Sequence, residues 1–591
     1  MTWIQKINPL HNLALSALVA FVPIAFIFWA LIIRKMKGYQ SSLLTLVLAV
    51  FLAVIVYGMP MPQVLASALH GALYGLFPIC WIILGAVFLY NVTVASGQFE
   101  IIKNVMSSIT PDRRLQALLI AFSFGSFLEG SAGMGAPVAI TSAMLVGMGF
   151  NPLYAAGICL IANTAPVAFG SVGVPVIIAA QVSDLPEMAI SQMIGRTLPT
   201  LSFIMPFYLI GVMAGFKRSI EVLPACLVAG FTFALVQWVT ANYLGPMLPG
   251  VLAGLASLVA LILLLRFWQP KTTWRFREEP PESTVTQSYS MGTILRAWSP
   301  FLLMTVMVVA WGLQPVKDAL NSINTVKFMM PGLANAIVKE DGSPLLIKPY
   351  EFNYLSNSGL GVLLASLIAM PLVGMRYQQG AKIFVATLRQ LRFPALTIAS
   401  VVGFAFVVNN SGMSATMAMA IASTGVLFPF FSPVLGWLGV FLTGSDASAN
   451  ALFCKLQRTS AEAIGIDPLI TVSANATGGV TGKMISPQSI AIGTASVGLS
   501  GRESELFRFT VKHSFILLFV VCVLTTIQAY LLTWIIPVYQ SFTTDGATPV
   551  SQVAKGFTYL LILAAALAFI ILTVILLNRQ PTVNSSQAAR H

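Results

Sequence analysis

Three ionisable side chains stand inside otherwise uncharged, apolar stretches of this sequence. Glu129 lies in FLEGSAGMGAPVA (127–139), Asp446 in GSDASAN (444–450) and Lys483 in GGVTGKMISPQ (478–488). A charge held at membrane depth is costly, so each marks a functional site by default. Glu129 and Asp446 could bind and release a proton or a cation. Lys483 could hold a substrate carboxylate as a point charge. Structural roles compete with these. Glu129 could bond the backbone of its own turn, and Asp446 could cap the following helix. Lys483 could pair with either acid, or alternate between acid and substrate.

Uncharged hydrogen-bonding residues share the same stretches: Ser131, Asn163, Thr164, Ser445, Ser448, Asn450, Asn475 and Thr477. They could bind the hydroxyl and carboxylate of a ligand or satisfy an interrupted backbone. Gly133 and Gly135 would let the chain turn sharply beside Glu129, though small residues also serve close helix packing. No nucleophile–base pair or metal-ligand set stands out, and GGVTGK lacks the spacing of a phosphate-binding loop. The expectation is a protein that is not an enzyme, needs no cofactor and is driven by a gradient, with a proton as the coupling ion.

The elements that hold these residues follow from composition. Of 591 residues, 57% are hydrophobic and 9% charged, against about a quarter charged in an average soluble domain. Apolar runs of ~20 residues recur, each long enough to cross a bilayer. This describes an all-α polytopic membrane protein; a barrel would alternate in polarity over shorter segments. The net charge of +13 does not indicate nucleic acid, because the basic residues sit in short loops between apolar runs. The five cysteines are scattered and the four histidines form no cluster. The first apolar run is followed by RKMK, so it reads as a retained span and not a signal peptide.

Candidate spans are 13–33, 42–59, 70–94, 198–215, 221–241, 249–267, 296–313, 356–374, 394–410, 513–537 and 556–577. Two interrupted regions bring the total to about 13 crossings. Basic residues put the N-terminus outside and the C-terminus inside. The Lys- and Arg-free stretches 57–69, 242–248 and 411–440 are then expected as outer loops. Lys455 and Arg458 fit badly, since the scheme puts them outside too.

The interrupted regions repeat. FLEGSAGMGAPV (127–138) aligns with FLTGSDASANAL (441–452), and ANTAPVAFGSVGVP (162–175) with ANATGGVTGKMISP (474–487). The motifs are separated by 35 and 33 residues. The preceding spans run in opposite directions, so the halves read as inverted-topology repeats, a signature of secondary transporters. The first repeat is 1–245, with a re-entrant hairpin at 115–150 and a broken helix at 152–181. A linker span and cytoplasmic loop occupy 246–292. The second repeat is 293–580, with an outer loop at 314–355, a hairpin at 432–465 and a broken helix at 467–499; a disordered tail covers 581–591. Helices entered at Ala136-Pro137 and near Ser445-Asp446 would aim their positive ends at one cavity and favour an anion.

FLEGSAGMGAPVAIT, NTAPVAFG, GWLGVFLTGSDASANALF, TGGVTGKMISPQSIAI and LFRFTVKHS together resemble the bacterial lactate permease family, which includes L-lactate and glycolate permeases. The similarity runs from about residue 10 to residue 538. It implies a multi-pass inner-membrane symporter taking up L-lactate, D-lactate or glycolate with a proton. The family's motifs fall here on Glu129 and its glycines, Asn163, Ser445, Asp446, Asn450 and Lys483. The expected partners are a small carboxylate and the lipid bilayer, with no nucleic acid; homo-oligomerisation stays open. Rival readings are a sodium-coupled carboxylate or dicarboxylate transporter, a passive anion channel, and a receptor that does not transport.

Overall fold

The computed structural model describes residues 2–34, 36–133, 135–276, 289–323, 325–333, 336–340, 345, 347, 349–422, 425–499 and 502–539. The candidate span 556–577 and the tail 581–591 lie outside the described residues, as does 277–288 of the cytoplasmic loop. Eight described helices are long and apolar enough to cross a bilayer, or ten if each of two bent pairs counts as one crossing. The candidate span at 249–267 coincides with Pro249–Phe267, and 13–33 and 356–374 match the shorter apolar helices Leu13–Ile27 and Ser358–Leu372. Two helices outrun their apolar cores, Glu187–Ala214 and Tyr377–Asn410, whereas the span Met61–Ala95 is interrupted at Phe77, where the backbone is extended, between the helices Met61–Tyr74 and Trp81–Ala95. Hydropathy marks where a helix meets lipid, whereas its ladder continues until a breaker stops it.

Two expectations need correction. The stretches 57–69 and 411–440 are largely helical: Met61–Tyr74 covers much of the first, and Met413–Ala422 and most of Phe428–Thr443 much of the second. Lack of Lys and Arg does not distinguish a loop from an apolar helix. The fold is also not purely helical. Trp3–Ile4 pairs in parallel with Ile337–Val338, and Val326–Phe328 pairs antiparallel with Tyr350–Phe352. Gln5 Nε2 donates to the carbonyls of Asn409 and Asn410, both at 3.0 Å. The N-terminus, the 314–355 segment and the end of Tyr377–Asn410 therefore meet at one end. Another set of ends is gathered by Arg114, which is fully buried. Its guanidinium donates to Asp112, Glu221 and the carbonyls of Arg218 and Thr272.

Both interrupted regions form paired elements. In the first, an arm runs through Arg113–Gln116, a π-helical stretch Ala117–Phe124 and the Glu129 helix, Gly125–Ser131. It breaks and returns as the Pro137 helix, Ala136–Gly147. The Cys159 helix, Pro152–Ala162, then bends by 65° into Val167–Ser183, most of which is the Val176 helix, Gly170–Ser183. In the second region the Trp437 helix, Phe428–Thr443, breaks into the Asp446 helix, Asp446–Ala463. The Lys483 helix, Pro468–Lys483, is followed by the Gln488 helix, Pro487–Ser496.

The two regions pack crosswise. The Pro137 helix lies on the Gln488 helix, with Ser142 Oγ 2.8 Å from Ser496 Oγ. The Val176 helix lies on the Asp446 helix, where Asn450 Nδ2 donates to Pro175 O at 3.0 Å. The connector Pro249–Phe267 supports the Glu129 helix from behind. A Cβ at Gly254 would stand 2.4 Å from Phe127 N, and one at Gly130 would stand 2.4 Å from Gly250 C. Backbones this close need residues without side chains.

Candidate functional site

Glu129 occupies the last turn of a helix that Gly133 and Gly135 terminate with positive φ of 58° and 82°. The turn leaves its carboxyl inside the protein, 2% exposed. Oε1 accepts from Lys483 Nζ at 2.5 Å. Lys483 ends its own helix, where a cation favours the negative helix terminus. Glu129 therefore does not bond the N–H groups of its own turn. The structural alternative for Lys483 is realised: it is paired with an acid.

Asp446 belongs to the same cluster. A Cβ at Gly479 would come within 2.2 Å of Asp446 Oδ1. Gly479 and Lys483 are one turn apart on one helix face, so Asp446 and Glu129 approach that face side by side. Asp446 is 3% exposed, and neither of its oxygens has a hydrogen-bond partner among the described residues. Its capping role is corrected here. The cap is Ser445, whose Oγ accepts from Ser448 N, and Asp446 is the first helical residue. Two carboxyls and one ammonium carry a formal charge of minus one when all are ionised, and one proton cancels it.

The break after the Cys159 helix completes the cluster. A Cβ at Gly170 would lie 2.8 Å from Glu129 Oε1. The turn Val167–Phe169 touches both the Glu129 helix and the Lys483 helix. Asn163 and Thr164 open this break, are 5% and 1% exposed, and have no side-chain partners among the described residues. Glu129 Oε2 also lacks a partner among the described residues. Buried polar atoms in this state are what water or a polar ligand satisfies.

Other candidates have structural partners. Ser131 Oγ bonds back to Phe127 O at 2.8 Å, and Thr477 Oγ1 to Ala474 O at 3.4 Å. Asn450 and Asn475 belong to a buried ladder. Ser432 donates to Gln457, Gln457 to Asn475, Asn475 to Asn450, and Asn450 to Pro175 O. Gly133 and Gly135 are needed for shape. A Cβ at Gly133 would sit 2.1 Å from Ser171 Oγ, and one at Gly135 would sit 2.5 Å from Ile492 Cδ1.

Sequence reasoning missed Gly479 and Gln237. Gln237 Nε2 donates to Ala165 O at 3.0 Å, satisfying a carbonyl of the first break. Its signal was a glutamine in the middle of the apolar run 221–241. Lys455 and Arg458 also find their place. Lys455 Nζ pairs with Asp184 at 2.7 Å, and Arg458 donates to the carbonyls of Ser183 and Asp184 at the end of the Val176 helix.

Long apolar helices, two broken elements and a buried charged cluster between them define a multi-pass membrane protein with an internal polar site. The L-lactate permease family profile matches residues 16–532. The chain is 52% identical to the L-lactate permease of Bacillus subtilis, over 91% of this chain and 100% of that one. It is 49% identical to glycolate permease GlcA of Escherichia coli, over 90% and 99%. The chain belongs to the L-lactate permease family. It is a transporter and not an enzyme, and in a bacterium such a protein lies in the inner membrane. The solved structure of Neisseria gonorrhoeae MtrF aligns over 76% of this chain and 81% of that one, at 12% identity and a TM-score of 0.40. A likeness at that score assigns no fold.

Proposed function

We propose that this chain takes up small 2-hydroxy monocarboxylates (L-lactate, D-lactate and glycolate) by proton symport through alternating access. The observation that carries this reading is the buried Lys483–Glu129 pair beside the unpartnered Asp446. The named substrates of its relatives, lactate and glycolate, fit that chemistry.

The coupling follows from charge balance. An incoming carboxylate competes with Glu129 for Lys483. A displaced Glu129 stays buried and cannot remain charged without a partner, so it takes up a proton. Anion and proton then load together, one of each, and the site gains no net charge. Asp446, unpaired in the same cluster, is cheapest in its neutral form. The substrate hydroxyl goes to Asn163 and Thr164, whose polar groups are otherwise unmatched. The N-termini of the Pro137 and Asp446 helices add positive potential. No cofactor enters this scheme beyond the proton.

The crosswise packing supports inverted repeats. If the halves exchange their inward and outward shapes, the Pro137–Gln488 and Val176–Asp446 contacts open in turn. In this topology the N-terminus, the 314–355 segment and the Lys455–Asp184 pair lie outside, and the end gathered by Arg114 lies inside.

Uptake of labelled L-lactate into proteoliposomes, driven by a pH gradient or by a sodium gradient, tests the proposal. Accumulation driven by the inward proton gradient alone is expected. Accumulation that follows sodium and ignores pH would transfer the site to a cation-coupled mechanism, and equilibration without accumulation would indicate a pore.

A further inference from the structure

A polar cavity lies where the C-terminal end of the Val176 helix meets the middle of the Asp446 helix. Its volume is about 60 Å³. At 10–15 Å³ per water this is room for roughly four waters, close to the size of a small hydroxy acid. Its lining includes His70, Tyr74, Asp184, Asn409, Asn410 and Lys455. None of these belongs to the Glu129–Lys483 cluster. Lys455 is nine residues beyond Asp446, or ~13 Å along the same helix.

His70 stands out. It is 1% exposed, and neither ring nitrogen has a hydrogen-bond partner among the described residues. A ring held between Tyr74 and Phe406, with centroids 5.2 Å from each, is fixed in place while its polar edge goes unused. A buried imidazole in that state is matched by a ligand that accepts or donates a hydrogen bond. The same lining supplies charge, through Lys455 paired with Asp184 at 2.7 Å. That pair joins the Asp446 helix to the end of the Val176 helix, and Arg458 reinforces it through the carbonyls of Ser183 and Asp184.

We infer that this cavity is a second binding site for a small hydroxy-carboxylate, in which the anion displaces Asp184 from Lys455 and a second polar group of the ligand engages His70. The inference rests on the substrate class and topology proposed above. It places the site on the route to the central cluster from outside. Displacement of Asp184 loosens the contact between the Val176 and Asp446 helices, so binding there favours opening of the path between them. Asn450, which ties Asp446's helix to Pro175 O, forms the next barrier inward.

Binding of labelled L-lactate to purified protein, measured by flow dialysis, tests the inference alongside uptake kinetics in vesicles. Wild-type protein is expected to bind two equivalents. His70→Phe keeps the aromatic packing and should weaken one of the two bound equivalents about tenfold, with the KM for uptake raised to match, the loss of one buried hydrogen bond. Lys455→Met should do the same, and the Lys455→Gln/Asp184→Asn double variant removes both charges if the single change impairs folding. One equivalent in wild type overturns the second site, as does an unchanged KM in His70→Phe. Wild-type protein that neither binds nor transports L-lactate overturns the substrate assignment and the inference with it. Transport with a single bound equivalent overturns the inference alone.

Discussion

Lys483 Nζ lies 2.5 Å from Glu129 Oε1, across 354 residues of sequence. The pair joins the broken segments of the two halves, and both partners are buried. A buried pair of this kind is a modest stabiliser when intact but a large liability when one member is removed. On the mechanism proposed above, that asymmetry makes the pair a switch, because a substrate carboxylate that replaces Glu129 on the lysine obliges Glu129 to take up a proton.

Lys483→Met should destabilise the protein by about 3–5 kcal/mol, since it leaves Glu129 alone in the interior. Adding Glu129→Gln should restore much of that loss, because both charges are then gone. Neither variant should bind L-lactate. Thermal unfolding in detergent combined with a binding assay separates the two effects. Normal lactate binding by the stable double variant would limit Lys483 to a structural role.

Asp446→Asn keeps the shape of the side chain and removes its proton exchange. Ser445 caps the helix, so expression and melting temperature should hold while the pH dependence of uptake changes. Initial rates across external pH give the readout. A wild-type pH profile at wild-type rates would show that Asp446 takes no part in coupling.

Gly479→Ala places a methyl group where only 2.2 Å separates the new Cβ from Asp446 Oδ1. The Asp446 carboxyl must turn away from the Lys483 helix, and the Val440 side chain, whose Cγ2 would lie 2.8 Å from the new Cβ, must give as well. Misplacement of about 1 Å at a reacting site costs on the order of a hundredfold in rate. Transport should fall by tenfold or more, with protein levels close to wild type. Full activity would mean that the position of the Asp446 carboxyl is not critical.

Asn450→Ala removes the donor to Pro175 O and the acceptor for Asn475. Leaving these buried groups unmatched should cost about 1–3 kcal/mol. A stability loss accompanied by retained substrate affinity is the expected outcome. Loss of affinity without loss of stability would return Asn450 to the binding site.

The site was readable where a charge interrupted an apolar run. Glu129, Asp446 and Lys483 each broke a pattern, and the glycines and prolines beside them announced the helix ends. What the sequence did not reveal was partnership. Nothing local indicates that Lys483 chooses Glu129, or that Asn450 and Asn475 bond each other, because those choices depend on how distant helices cross. Helix register was not legible in the aligned motifs. Asp446 begins its helix at the position aligned with Ala132, yet the corresponding helix of the first half begins at Ala136, one turn later. Lys455 and Arg458 looked misplaced because charge counting sees sides and not ion pairs; Asp184 and the end of the Val176 helix account for both. Helix lengths were underestimated wherever amphipathic turns extended an apolar core, as in Tyr377–Asn410.

Glu129→Gln in proteoliposomes tests the exchange at Lys483 most directly. Glutamine preserves size and hydrogen bonding but cannot take up and release a proton. Counterflow of labelled against unlabelled L-lactate should persist, because it needs no net proton movement, while accumulation driven by an inward proton gradient should vanish. Gradient-driven accumulation at the wild-type level in this variant would contradict the account.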